Sequence, residues 1–168
     1  MKVIAAVLLA SVLSCGPALG AEFGKWVTES TTDNVLYAAT TNDSGALLGE
    51  FCFPGNGTCV WLIGMETRCN SGDSYTVLAN SDAGSAPLKV LCDGQLENGS
   101  YRYVFADFEE IDGMVKRATR IGFAVPLQTD EFRVFRFPLQ GAKAAIAIMR
   151  SRAERKSNPQ GGTKEEIL

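Results

Sequence analysis

The sequence predicts a mainly β protein: an antiparallel β-sandwich with a short helix near residues 107–119 and a C-terminal helix packed on the sheet. Three observations lead there. Short runs rich in β-branched and aromatic residues recur from residue 24 to residue 137, separated by clusters of Gly, Asn, Asp and Ser that favour turns. Some of these runs alternate their side chains with the period of two that gives a strand two distinct faces. The chain of 168 residues is 46% hydrophobic and 21% charged, the balance of one ordinary globular domain rather than of a disordered or collagen-like chain.

The opening segment, MKVIAAVLLASVLSCGPALG, reads as an address. Lys2 supplies a short positive region, and the apolar run Val3 to Leu13 is shorter than the roughly 20 residues a membrane-spanning helix needs. Ala18 and Gly20 place small residues where a signal peptidase wants them, so cleavage is expected before Ala21. Residues 1–20 are then a signal peptide, 21–150 the domain and 151–168 a flexible polar tail, and the expected location is periplasmic or secreted, with no transmembrane helix in the mature form. Val12-Leu13-Ser14-Cys15 also resembles a lipobox, which would instead leave a lipid anchor at Cys15.

Cys52, Cys59, Cys69 and Cys92 remain after either cut. In an oxidising compartment an even set of cysteines predicts two disulfides, and the spacings are wider than the paired ligands of a structural zinc site. Pro54, Gly55, Asn56 and Gly57 form a turn that sets Cys52 opposite Cys59. Pairing of runs 74–80 and 87–93 around the turn at 81–85 leaves Cys69 and Cys92 at one end of a second hairpin. The expected bridges are Cys52–Cys59 and Cys69–Cys92, each worth about 2–4 kcal/mol.

The expected strands are 24–30, 34–41, 46–53, 58–65, 74–80, 87–93 and 100–108, followed after the helix by 120–127 and 131–137. Tyr101, Tyr103 and Phe105 form one aromatic face, read as core. Within 107–119, Asp107 and Glu110 suit a helix start and Lys116 and Arg117 suit its end, while Gly113 costs it about 1 kcal/mol. In 131–137, Phe132 and Val134 face one way and Phe135 and Phe137 the other, which predicts cover on both sides. Pro138 opens the last helix, with Leu139, Ala142, Ile146 and Met149 as its apolar stripe. Asn42, Asn56 and Asn98 match the glycosylation pattern, but they sit in expected turns, where asparagine has a local structural use.

A leader, Trp26 shortly after Phe23-Gly24, paired cysteines in a β-rich middle, the segment IGFAVPL (121–127) and the closing FRVFRFPLQGAKAAI (132–146) together resemble the invasion-associated locus B family of exported bacterial proteins. That resemblance implies a secreted or periplasmic β-sandwich associated with host-cell entry, and carries over no catalytic residue. The cysteine spacing and the segment 107–119 depart from the family pattern.

The chemistry available points away from familiar catalysis. The chain has no histidine, which removes Ser-His-Asp and Cys-His machinery and imidazole metal sites, and its net charge of −3 argues against nucleic acid as a partner. The expectation is a non-enzymatic binding or accessory protein without cofactor or metal, taking an unknown protein or envelope component as partner. Phe53 and Trp61 are the candidate contacts at the tight turn, and Arg150 and Arg152 belong to a basic stretch able to touch an anionic surface. The alternatives are a periplasmic structural or assembly factor, and a hydrolase working with carboxylates alone, for which Asp107, Glu109, Glu110 and Asp112 are the densest acidic group.

Overall fold

The protein is described from a computed structural model, which covers residues 20–96, 98–127 and 131–158. The expected leader before Gly20, Cys15 with it, and the end of the expected tail from residue 159 lie outside the described residues. Among the described residues eight strands precede a first helix, and two more strands lead to a second: β1 Ala21–Phe23, β2 Trp26–Ser30, β3 Leu36–Thr41, β4 Leu47–Phe53, β5 Thr58–Met65, β6 Ser74–Ser81, β7 Gly84–Gln95, β8 Tyr101–Phe105, α1 Phe108–Arg117, β9 Arg120–Pro126, β10 Phe132–Pro138 and α2 Ala142–Ser157. All ten strands join one antiparallel sheet in the order β1-β2-β3-β4-β5-β8-β7-β6-β9-β10. Most sequence-derived strands therefore stand, with β1 added.

Register makes one face of this sheet continuous. The row Thr28, Ala38, Glu50 and Trp61 crosses β2 to β5, and Leu48, Ile63 and Tyr103 run beside it. Alternate residues farther along, Val77, Ala79, Phe123, Phe135 and Phe137, complete the same buried face. Phe123 lies 5.3 Å from Phe105 and 6.1 Å from Phe137 between ring centroids, distances at which aromatic rings attract. The aromatic face of β8 is core as expected, with Tyr103 and Phe105 buried. Helix α2 packs on β1 to β4 through Ala142, Ala145, Ile146 and Met149, and α1 fits between α2, β5, β7 and β9.

Local chemistry explains the boundaries. Asp107 caps α1 by accepting the Glu110 N–H, as the sequence suggests. The three asparagines serve their turns. Asn42 accepts from the N–H groups of Ser44 and Ala46, Asn56 from that of Thr58, and Asn98 from that of Ser100. The last helix starts later than expected, because Pro138 ends β10 and Gly141 takes a left-handed conformation, φ 94°, before Ala142. It also runs past the expected boundary at 150: Ala153 is buried, and the Ser157 hydroxyl donates to the Pro54 carbonyl.

The two ends of the sheet meet at this junction. The Trp26 indole N–H donates to the Pro138 carbonyl at 2.9 Å, and the Lys25 N–H reaches the Gln140 carbonyl at 3.3 Å. Gly141 lies so near the Phe23 carbonyl that a Cβ there would collide with it. Gly141→Ala is therefore expected to destabilise the fold by more than about 1 kcal/mol, combining positive φ with that collision. Urea unfolding checks this, and an unchanged midpoint would show that the junction is loose.

Candidate functional site

The β4–β5 hairpin places Cys52 directly opposite Cys59, and the two form a disulfide. A second disulfide joins Cys69 to Cys92. The first bridge fixes a rim next to the C-terminal half of α2, where a groove of about 270 Å³ is lined by Phe53, Pro54, the bridge itself, Arg150, Ala153 and Ser157 among others. Phe53 is 39% exposed on this rim. Of the four expected contact residues, the fold brings Phe53 and Arg150 to one groove.

The other two are placed differently. Trp61 is fully buried and packs edge-on against Trp26 at 6.1 Å, so it is a core residue and not a surface contact. It lies two residues after Cys59 on the same inward face. Arg152 lies against the sheet, its guanidinium 3.4 Å from the Thr28 hydroxyl, and lines a separate shallow cleft with Ser30, Leu36, Arg155 and Lys156. Arg150 also turns inward. Its guanidinium donates twice to the Glu50 carboxylate, from Nε at 2.8 Å to Oε1 and from Nη2 at 2.8 Å to Oε2, and once to Asp112 at 2.6 Å. It also sits 5.4 Å above the Phe108 ring. The basic stretch therefore sends its first two arginines to the sheet rather than to an anionic surface.

Glu50 is the residue the sequence reading missed. It is wholly buried, yet it sits on the same face as Leu48 and Cys52 in a strand that is otherwise apolar. A lone carboxylate at an inward position of such a strand needs a cation, and that period-two position was the available signal. Asp112 is the other buried acid among the described residues, held by Arg150 and, at 2.6 Å, by Lys116 one helical turn on. Of the remaining acids in the expected carboxylate cluster, Asp107 is spent as a cap, and Glu109 and Glu110 are exposed.

The two converging carboxylates differ in electrostatics. Burial pushes the Glu50 pKa above its ordinary value, and the Arg150 guanidinium pulls it back without cancelling that effect. Burial also acts to raise Asp112, but Lys116 and Arg150 outweigh it and hold that carboxyl below the usual range. Glu50, Cys52 and Cys59 bring an oxygen and two sulfurs close together, but the sulfurs are bonded to each other and offer no thiolate to a metal.

These features define a disulfide-clamped antiparallel sheet that carries a C-terminal helix over its inner face through a buried acid–arginine–acid bridge. A solved structure shares that fold: the crystal structure of invasion associated protein B from Bartonella henselae is similar with a TM-score of 0.58, covering 82% of this chain and 99% of that one at 12% identity. The likeness is one of fold. No family model and no curated protein matches the sequence.

Arg150→Ala leaves Glu50 and Asp112 without their shared cation and is expected to cost about 3–5 kcal/mol, read from urea unfolding. The Asp112 contribution has a defined pH window. Its folded pKa is depressed, so its stabilisation is full above the unfolded carboxyl value of about 3.9 and disappears as pH falls through the lower folded value. The destabilisation caused by Asp112→Asn should therefore shrink between pH 7 and about pH 3. A penalty independent of pH would show that the charge on Asp112 contributes nothing.

Proposed function

We propose that this chain is an exported, non-enzymatic binding or accessory protein of a bacterial envelope, periplasmic or secreted, related to the invasion-associated locus B proteins and acting at contacts with a host cell. It presents the rim around Phe53 to a protein or envelope component. The observation that carries this reading is the pair of disulfides, since such cross-links persist where thiols are oxidised, outside the cytosol. Other features agree with it. The first strand begins at Ala21, the residue after the expected cleavage point. No helix among the described residues is long and apolar enough to cross a membrane. The fold resembles that of a protein named for invasion.

The carboxylates support a binding role over hydrolysis. General acid–base work needs a carboxyl that reaches substrate and exchanges a proton. Glu50 is closed off from solvent, and Asp112 is held by two cations. A role as a periplasmic assembly factor is the second reading, favoured by exposed Phe132 and Val134 on the last strand.

Produced with its leader in a bacterial host, the protein should appear in the periplasm or medium as a chain beginning at Ala21, its mass lowered by the hydrogens lost in two disulfides. An acylated chain beginning at Cys15 would mark the anchored form of the same exported protein. Cytosolic material with an intact leader and free thiols would overturn the proposal. Phe53→Asp should abolish capture of envelope components by the purified protein without moving its unfolding midpoint, because the side chain lies on the rim.

A further inference from the structure

The sequence predicts cover on both faces of the last strand, and the described residues cover one. Phe135 and Phe137 are buried, while Phe132 is 69% and Val134 44% exposed. Register extends this uncovered apolar surface across the outer face: Val134 lies beside Ala124 of β9, which lies beside Leu78 of β6, itself 51% exposed. A groove of about 490 Å³ runs over Leu78, Ala124 and Val134, and Arg120 and Arg136 also line it.

β10 is also the last strand of the sheet, and its hydrogen-bonding phase can be read from both ends. The Leu127 N–H donates to the Glu131 carbonyl, and the Leu139 N–H donates to the Thr119 carbonyl. In an antiparallel ladder, alternate residues exchange bonds with a given neighbour. Residues 131, 133, 135, 137 and 139 therefore turn their backbone groups toward β9. Those of Phe132, Val134 and Arg136 point to the open edge. The next in that phase, the Pro138 carbonyl, is already occupied by the Trp26 indole N–H. Among the described residues no backbone group pairs with Phe132, Val134 or Arg136 on that side, and such a row is a template for an added strand.

Charge selects the occupant. Arg120, Arg133 and Arg136 are exposed and form no ion pair among the described residues, in a chain of net charge −3. Asp82, which also lines the groove, is engaged by the Thr119 hydroxyl and N–H and the Arg120 N–H. A second copy would bring the same cations to this edge. An acidic partner would neutralise them.

We propose that β10 binds an extended acidic–apolar segment of a partner polypeptide as an added antiparallel strand. Apolar side chains lie opposite Val134 and Phe132, and carboxylates lie opposite Arg136 and Arg133. Read from its N-terminus, the register calls for acid, any residue, apolar, acid, apolar. This surface is separate from the Phe53 groove, and the inference does not depend on export.

The test uses the purified oxidised protein and a fluorescein-labelled peptide, Ser-Glu-Thr-Val-Glu-Val-Ser, followed by fluorescence anisotropy. Replacing both glutamates by lysine should weaken binding about tenfold or more. Val134→Pro removes an N–H that faces the open edge and leaves the bonds to β9 in place, so it should abolish binding with little change in the unfolding midpoint. Arg136→Glu should weaken the acidic peptide and strengthen the lysine peptide, an exchange that a folding defect cannot produce. No saturable binding, equal binding of both peptides, or unaltered binding to Val134→Pro would overturn the proposal. So would concentration-dependent dimerisation that Val134→Pro abolishes, which would assign the edge to a second copy.

Discussion

A carboxylate in the middle of an inward-facing row imposes the main constraint on this fold. Glu50 lies between Ala38 and Trp61 on the buried face, where an unpaired charge would cost several kcal/mol. Arg150 relieves it by descending from α2, and Asp112 closes the bridge from α1. One guanidinium thus ties a strand to both helices. An apolar trio could supply as much stability, but it would not fix the rotation and height of α2 as a forked, bidentate pair does. The cystine at the end of β4 holds the neighbouring hairpin in register, and the groove at Phe53 inherits its shape from both.

The sheet solves a packing problem that two separate sheets would solve otherwise. Its ten strands form one hydrogen-bonded series, and contacts from Trp26 and Lys25 to Pro138 and Gln140 bring the first and last strands together. The inner face then surrounds a common core to which both helices contribute. The Cys69–Cys92 bridge fastens the segment leading into β6 to the middle of the sheet, and the Tyr103 hydroxyl donates to the Thr67 carbonyl of that segment. Few of the strands are long, and the cross-links supplement what hydrophobic burial supplies.

Much of this was legible in the residues. Turn chemistry located the hairpins, even cysteine count and position suggested the pairing, and Asp107 marked the start of α1. These signals are local, so they survive without knowledge of the fold. The placement of Trp61, Arg150 and Arg152 was not legible, because it depends on which face of a strand or helix meets the core. Parity could have corrected the first: if the Cys52–Cys59 bridge faces inward, so do Glu50 and Trp61, two residues away on each strand. The arginines required knowing that α2 lies over that row. β1 was missed because three residues, Ala21–Phe23, carry no periodicity.

The two edges of the sheet are managed by different means, and the difference bears on what the outer surface is for. β1 is short, and its Phe23 carbonyl is pressed against Gly141, so little template remains there. β10 is sealed at its end, where Pro138 lacks an N–H, its carbonyl meets Trp26 and the strand comes near β3. Arg133 and Arg136 guard the rest against like-charged copies, a common protection for exposed edges. Protection alone would place polar residues at 132 and 134, since nothing among the described residues covers them. Phenylalanine and valine there extend an apolar row that already crosses Ala124 and Leu78. An edge that repels copies of itself but keeps apolar surface beside free backbone groups excludes one class of strand while remaining open to another.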